Sequence, residues 1–392
     1  MTTVRPPGWY PLLLASAAIG IANSVVFALL GNLQDEYGFG DAGLGLIAGS
    51  GFLVGLIGQI LLSPLADRGH SKRLLLGGLT LAVAGSILFA LSSSLIMLVF
   101  ARCVVGLSNS LFAPAARAIV ISISDVDVAR RLGTLSGVEL AGFVTGPVIG
   151  GILVGPFGLK VPFLVAGAFA AAAAIMLAPR ALPEPPIGEH HRLAFDLLSI
   201  PRIRSGVAMS VALFLPIGFY DATLDRYLTD LGAGDVLIGF SFLVYGIPFA
   251  LLATAGGHLA DRRGPLRVAV LGAVLVAPLT AIYGQVRSAE LIVALSALEG
   301  AIQALGIPGT QALVAAGAPR GRAGAAQGLA GAANLLVGAI AAYAAGPIYQ
   351  HLGAGWMFLI AAIGVLAFTA LAVSQRDRSP APALAAEAGA LS

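Results

Sequence analysis

Apolar residues run along this chain in twelve long continuous blocks, separated by short stretches where charges, prolines and glycines collect. The blocks cover 9 to 31, 42 to 64, 74 to 92, 94 to 118, 133 to 155, 160 to 179, 203 to 228, 236 to 258, 267 to 286, 289 to 315, 324 to 348 and 354 to 374. A hydrocarbon core about 30 Å thick needs about 20 residues of helix to cross it, and each block supplies that length. None alternates apolar and polar positions with a period of two, which excludes a β-barrel. The pattern predicts an all-α integral membrane protein with twelve transmembrane helices, six in each half.

The halves repeat one another. Leu65, Ala66, Asp67 and Arg68 recur as Leu259, Ala260, Asp261 and Arg262, an offset of 194 residues in a chain of 392. The same offset, with no gap, superimposes Gly45 on Gly239, Arg73 on Arg267, Gly106 on Gly300, Pro114 on Pro308 and Gly137 on Gly331. Two pseudo-symmetric six-helix bundles in an apolar chain mark a secondary transporter, whose halves rock about a central site. The expected units are a bundle over 1–178, a cytoplasmic linker over 179–202, a bundle over 203–375 and a disordered cytoplasmic tail over 376–392. The linker is stiffened by Pro179, Pro183, Pro185, Pro186 and Pro201, and Leu193 to Ile200 suits a short amphipathic helix on the membrane surface. His190 and His191 adjoin in it, but no third ligand lies at metal-binding spacing, so they read as a solvated loop.

Composition agrees with the pattern. Hydrophobic residues make up 58% of the chain and charged residues 10%, so most of its length cannot face water. The 51 glycines and 22 prolines, excessive for soluble helices, suit membrane helices that pack through small residues. Cys103 is the only cysteine, which excludes an internal disulfide and a cysteine metal site. Arg68, Lys72, Arg73, Arg130, Arg131, Arg202, Arg204, Arg262, Arg263, Arg267, Arg320 and Arg322 follow even-numbered blocks, whereas the opposite loops offer Lys160 and Arg287. By the positive-inside rule both termini are cytoplasmic, in the plasma (inner) membrane. The net charge of +3 therefore reports topology and points to no nucleic acid. The first block is too long for the core of a signal peptide and reads as a retained helix. No G-x-x-x-x-G-K-[ST] loop is present, which argues against ATP as the energy source.

Gly58 to Arg73 reads GQILLSPLADRGHSKR, Gly256 to Arg267 reads GGHLADRRGPLR, and Gly142 to Gly151 reads GFVTGPVIGG. These segments resemble the loop 2-3, loop 8-9 and antiporter motifs of the major facilitator superfamily. With the twelve blocks and the half-repeat, the resemblance covers nearly the whole chain, and the twelve-helix drug:proton antiporters are the group it suggests. It implies alternating access with Asp67, Arg68, Arg73, Asp261, Arg262, Gly146 and Pro147 as gating residues. Physically, Asp67 at the inner end of the second block can accept hydrogen bonds from a neighbouring helix N-terminus. A turn that merely retained positive charge would not need an acid at both equivalent positions. The first copy departs from the family pattern in Ser63, Pro64 and His70. Gly146 and Pro147 lie at the centre of the antiporter-like segment. Gly142, Gly146 and Gly150 form a stripe suited to close packing, with the eighth helix through Gly239 and Gly246 as the expected partner. A plain small-residue interface is the competing reading. The late first block reads FALLGNL, without the proline of many drug exporters of the family.

Charges inside the blocks are the remaining candidates. Arg102, four residues before Gly106, resembles the family's R-x-x-x-G core associated with proton transfer. Placing it there costs about 2.5 to 3.5 kcal/mol on insertion scales, so it should face a cavity or an acid. Glu139, Asp221 and Glu299 have Ala333, Phe27 and Val105 as repeat images, so none is inherited from the duplication. Asp221 and Glu299 are the expected proton-coupling sites, since a carboxyl in an apolar span can load and release a proton near neutrality. Glu139 could pair with Arg102 or Arg117, or relay protons, and Asp225 with Arg226 reads as an interfacial pair. Asn23, Asn109, Tyr220, Gln303, Gln311 and Asn334 are the candidate substrate-cavity residues, although a polar residue bridging two helices is at least as common.

The expectation is a proton-coupled antiporter exporting small hydrophobic or cationic compounds, of the multidrug efflux kind. It is not an enzyme, acts as a monomer, and has small-molecule substrate, protons and the lipid bilayer as its partners, without cofactor or metal. An importer or facilitator of a small metabolite, with Arg102 binding an organic anion, is the alternative. A non-transporting sensor or scaffold on the same fold is the remote one.

Overall fold

The computed structural model describes residues 8–39, 41–187 and 193–375; His190, His191 and the segment from 376 onward lie outside them. Among the described residues the ordered elements are helices and there is no strand. The first block is α1 (Trp9–Ser24), a 3-10 turn at Val25–Ala28 and α2 (Leu30–Tyr37). Then come α3 (Asp41–Leu62), a 3-10 turn at Ser63–Arg68, α4 (Ser71–Leu91), α5 (Leu95–Ser122), α6 (Val128–Phe157) and α7 (Lys160–Leu177). The second half holds α8 (Pro201–Asp230), α9 (Asp235–Arg263), α10 (Pro265–Tyr283), α11 (Ala289–Gly317) and α12 (Ala323–Ser374).

Eleven of these are long and apolar enough to cross a membrane, one fewer than the twelve spans the sequence predicts. α12 has 52 residues, about 78 Å at about 1.5 Å per residue, more than twice the hydrocarbon thickness. It breaks at Gly353, whose φ of 82° and ψ of 171° only glycine adopts readily, and the two pieces are the last two expected spans.

The duplication is visible in local chemistry. Ser94 and its image Ser288 both cap a helix, accepting from Met97 N at 3.5 Å and from Leu291 N at 3.2 Å to start α5 and α11. Pro114 and Pro308 sit inside those same helices. One apolar core gathers around Leu12, Leu75, Leu79 and Ile119 and reaches across to Ala260 and Val268, and another, around Met209, Tyr283, Phe358 and Val365, lies within the second half. The linker carries a 3-10 turn at Phe195–Ser199 with Leu197 buried, where a short amphipathic helix was expected.

The glycine stripe of α6 meets a different partner from the expected one. A Cβ on Gly142 would fall 2.2 Å from the Ala17 carbonyl oxygen, and one on Gly146 2.1 Å from Ser24 Oγ, so the stripe packs on α1 within its own half. α9 touches another face of α6, where Val144 Cγ2 lies 2.3 Å from the place a Gly246 Cβ would take. The Gly239 side of α9 lies outside the described residues.

Glycines also close the seam between the halves. A Cβ on Gly257 of α9 would sit 2.0 Å from the Ala129 carbonyl oxygen of α6, and one on Gly133 2.1 Å from the Ala253 carbonyl oxygen. Across the other seam, a Cβ on Gly328 of α12 would lie 2.1 Å from Ser63 Cβ. These contacts all belong to the end of the molecule that carries Lys72, Arg73, Arg130, Arg262 and Arg320, here termed the basic end.

Candidate functional site

At the basic end each half supplies the helix cap that the other lacks. Neither α6 nor α12 has a side-chain cap of its own. Asp67 fills the role for α12, accepting from Gly324 N and Ala325 N at 2.7 Å each. Asp261 does so for α6, accepting from Ala129 N at 2.9 Å and Arg130 N at 2.8 Å. In both cases the amides are the second and third of the helix, the ones an ordinary N-cap oxygen serves. A carboxylate also suits the positive end of the helix dipole. The two caps differ in setting, since Asp67 is 5% exposed while Asp261 is exposed. Arg73 and Arg262 are exposed beside them, and Arg68 is half-buried. Gly146 and Pro147, grouped with these residues by sequence, lie elsewhere, inside α6, where Gly146 faces α1.

Two further hydrogen bonds cross between the halves above the caps. Ser136 Oγ donates to Gln311 Oε1 at 3.0 Å, and the Thr134 and Thr254 hydroxyls are 3.1 Å apart. Gln311 also lines a chamber of about 230 Å³ that both halves share, with Gln59, Asn109, Arg117 and Glu139 from the first and Ser210, Gln327 and Asn334 from the second. Three of the expected cavity residues, Asn109, Gln311 and Asn334, meet here. Glu139 chooses Arg117, at 3.1 Å, over Arg102. Ser210 Oγ donates to Asn334 Oδ1 at 3.0 Å, and Gln327 Nε2 to the Gln311 carbonyl at 2.8 Å. Gln59 escaped the sequence reading, although an amide two turns ahead of Asp67 in an apolar run was a signal. Its Oε1 is buried in the chamber wall without a hydrogen-bond partner. The chamber is smaller than the roughly 300 Å³ at which sites for drug-sized ligands begin.

Glu299 occupies a second, drier place inside the second half. It is 1% exposed and accepts from Tyr283 Oη at 2.7 Å and from Gln303 Nε2 at 3.4 Å. Tyr220, whose hydroxyl shares a 3.0 Å hydrogen bond with Thr280, holds its ring tilted against that of Tyr283, with the centroids 5.6 Å apart. Thus Tyr220 and Gln303 belong to the surroundings of Glu299 and not to the chamber. Among the described residues no cation pairs with this carboxyl. Tyr283 and Thr280 were missed, because polar residues buried inside one half have no repeat or motif to mark them. Asp221, grouped with Glu299 by sequence, is exposed on α8, and the Asp225 side chain lies outside the described residues. Arg226 pairs with Asp230 at 3.0 Å.

Arg102 overturns its expectation. It is 4% exposed and faces neither the chamber nor an acid among the described residues. Its Nη1 donates to the Asn23 carbonyl at 2.7 Å and its guanidinium lies 4.9 Å over the Phe27 ring, a cation–π arrangement. The Asn23 side chain is spent on its own helix, donating to the Ile19 carbonyl at 3.0 Å, so it does not line the chamber either. Among the described residues no group of three or more metal-ligating side chains occurs.

The family model of the major facilitator superfamily matches residues 12–220 and again 206–391. The chain belongs to this superfamily. It is 27% identical over 285 residues to the multi-drug resistance efflux pump PmrA of Streptococcus pneumoniae, covering 67% of this chain and 68% of the pump. It is 25% identical over 285 residues to the human MFS-type transporter SLC18B1, covering 67% of this chain and 61% of that one, so the match stops short of two thirds of the human relative. The human organic anion transporter MFSD10 (TETRAN) has the same fold, with a TM-score of 0.75 and 19% identity, over 93% of this chain and 98% of that one. The protein is therefore a membrane transporter of the major facilitator superfamily, with multidrug efflux pumps among its relatives.

Proposed function

We propose that this transporter is a proton-coupled antiporter that exports small hydrophobic or cationic compounds by alternating access. The observation that carries the reading is the Glu299 carboxyl, buried among Tyr220, Tyr283 and Gln303 with no cationic partner among the described residues. A charge in such a place is expensive, so exchange between an occluded and a wetted position is tied to gain or loss of a proton. The basic end is read as cytoplasmic, with both termini on that side, and the positive-inside distribution supports that orientation. The two crossed caps and the glycine seams then describe a protein shut on its cytoplasmic side, with Asp67 and Asp261 as the latches. Substrate enters the Gln59 to Asn334 chamber when the latches part and the chamber widens. Protonation of Asp221 or Glu299 from outside favours release and the return to the inward-facing state. The multidrug efflux relatives support export as the direction. Reading the chain as an organic-anion importer relied on Arg102, and that guanidinium is engaged by Asn23 and Phe27 away from the chamber.

The test is flux of a fluorescent lipophilic cation in proteoliposomes under an imposed proton gradient. The gradient should drive the wild-type protein, and Glu299→Gln or Asp221→Asn should lose that drive while keeping gradient-free exchange. Unchanged coupling in both variants sinks the assignment.

A further inference from the structure

Asp196 stands in the linker's 3-10 turn, outside the membrane helices, yet both of its carboxylate oxygens face Arg322. Oδ1 accepts from Nη2 at 2.9 Å and Oδ2 accepts from Nη1. Arg322 is the residue just before α12 and is 7% exposed. Two residues further on begin the amides that Asp67 holds, and Arg322 lies within electrostatic reach of Asp67 as well. One guanidinium thus stands between two carboxylates, one from the linker and one from the latch.

The linker turn is firmly seated. Leu197 is buried beside Ile203, Val314 and Ala325, and Ser199 Oγ donates to the Asp196 carbonyl at 2.7 Å. Its earlier part lies against the first half, where a Cβ on Gly69, the residue after Arg68, would be 3.5 Å from Ile187 Cδ1 and 3.7 Å from Glu184 Oε2. At the Asp261 latch the repeat image of Arg322 is Val128, and the guanidinium within electrostatic reach is Arg131, on α6 itself and not held by the linker. A single linker cannot be duplicated, so this contact exists at one latch alone.

We propose that Asp196 is a positioning residue for the transport cycle, holding Arg322 away from Asp67 so that the latch rests on amide hydrogen bonds and can open. A bidentate arginine–carboxylate pair is the strong geometry, and a buried guanidinium deprived of it turns to the nearest remaining carboxylate. Here that is Asp67. A charge pair added to the latch shifts the population toward the state closed on the cytoplasmic side, since a contact made in one state biases the equilibrium by its differential strength. The inference rests on the reading of Asp67 as a cytoplasmic latch.

Ala330 is 5% exposed and lines the chamber, so a cysteine there becomes reachable when the cytoplasmic side opens. In the full-length protein in nanodiscs, with Cys103→Ala and Ala330→Cys as the parent, the readout is the labelling rate by a membrane-impermeant maleimide. Asp196→Asn should slow labelling about fivefold, and Asp196→Asn with Arg322→Gln should restore it to within about twofold of the parent. Asp196→Glu, which keeps the charge, should label like the parent. Arg322→Gln alone should label no more slowly than the parent, a check that does not depend on how Asp196→Asn folds. Unchanged or faster labelling of Asp196→Asn, a double variant as slow as the single one, or slow labelling of Arg322→Gln overturns the proposal. Asp67→Asn should accelerate labelling. If it has no effect, the latch reading and this inference fall together, whereas acceleration there with an inert Asp196→Asn removes the inference alone.

Discussion

Tyr283 points its hydroxyl at Glu299, 2.7 Å away, from the neighbouring helix of the same half. The carboxyl therefore has a neutral donor where most buried acids have a cation. Replacing Tyr283 by Phe keeps the ring against Phe358, at 5.8 Å between centroids, and removes only the donor. The expected loss of thermal stability corresponds to about 1 kcal/mol, with a reduced ratio of proton-driven to gradient-free flux. Glu299→Gln should abolish the proton drive outright. Melting curves and paired flux assays on the two variants separate the structural part of the interaction from the coupling part.

Two glycines of similar tightness should fail in different ways. A methyl on Gly142 meets the Ala17 carbonyl oxygen at 2.2 Å inside the first half, and one on Gly257 meets the Ala129 carbonyl oxygen at 2.0 Å between the halves. Backbone cannot yield as a side-chain tip can, so each substitution costs about 1 to 3 kcal/mol or more. Gly142→Ala should lower the melting temperature and the yield of folded protein. Gly257→Ala should leave the bundles folded and instead increase labelling of a cysteine at Ala330. Equal melting losses in the two variants would contradict this division.

The two latches should not contribute equally. Asn keeps one capping oxygen but loses the second acceptor and the charge, which at a helix N-terminus is worth about 0.3 to 1 kcal/mol and up to about 2 kcal/mol where it is partly buried. Asp67 is buried and Asp261 exposed. Asp67→Asn should therefore open the cytoplasmic side more than Asp261→Asn does. Raising the salt concentration should reproduce part of the Asp261→Asn effect in the parent and little of the Asp67→Asn effect, because solvent ions screen the exposed carboxylate far more. Labelling rates across a salt series check both statements.

Arg102 should behave as a structural residue. Its guanidinium joins the Asn23 carbonyl and the Phe27 ring, and a methyl on Gly51 would lie 2.5 Å from its Nε. Arg102→Lys retains a charge but not the planar fork, so a partial stability loss is expected, and Arg102→Met and Gly51→Ala should each destabilise the first half. Proton-driven flux per folded molecule should survive in all three. A selective loss of coupling at normal stability would return Arg102 to the proton path.

The crossings, the half-repeat and the paired acids at Asp67 and Asp261 were legible in the sequence, because membrane thickness and duplication leave periodic marks. The partners of the buried charges were not. Glu139 had Arg102 and Arg117 within plausible reach along the chain, and the choice of Arg117 depends on how α5 rotates about its axis. The stripe of Gly142, Gly146 and Gly150 announced a close neighbour without naming it, since α1 and α9 both offer small residues. Gln303 and Tyr220 were rightly singled out as polar residues in apolar helices, but polarity alone does not say whether a side chain faces a shared chamber or an acid in its own bundle. The contact between Asp196 and Arg322 spans 126 residues and carries no spacing signal at all.

Among the described residues the groups that touch Arg102 come from earlier in the chain: Asn23 lies in the last turn of α1, Phe27 in the 3-10 turn after it, and Gly51 provides the space on α3. During synthesis the ribosome releases these segments before α5 emerges, so the bilayer already holds a prepared receptacle when the charged helix arrives. Assembly of the first half is thereby given a direction. A circular permutation that placed α5 ahead of α1 would present the same guanidinium to bare lipid, with identical final contacts and no route by which to reach them.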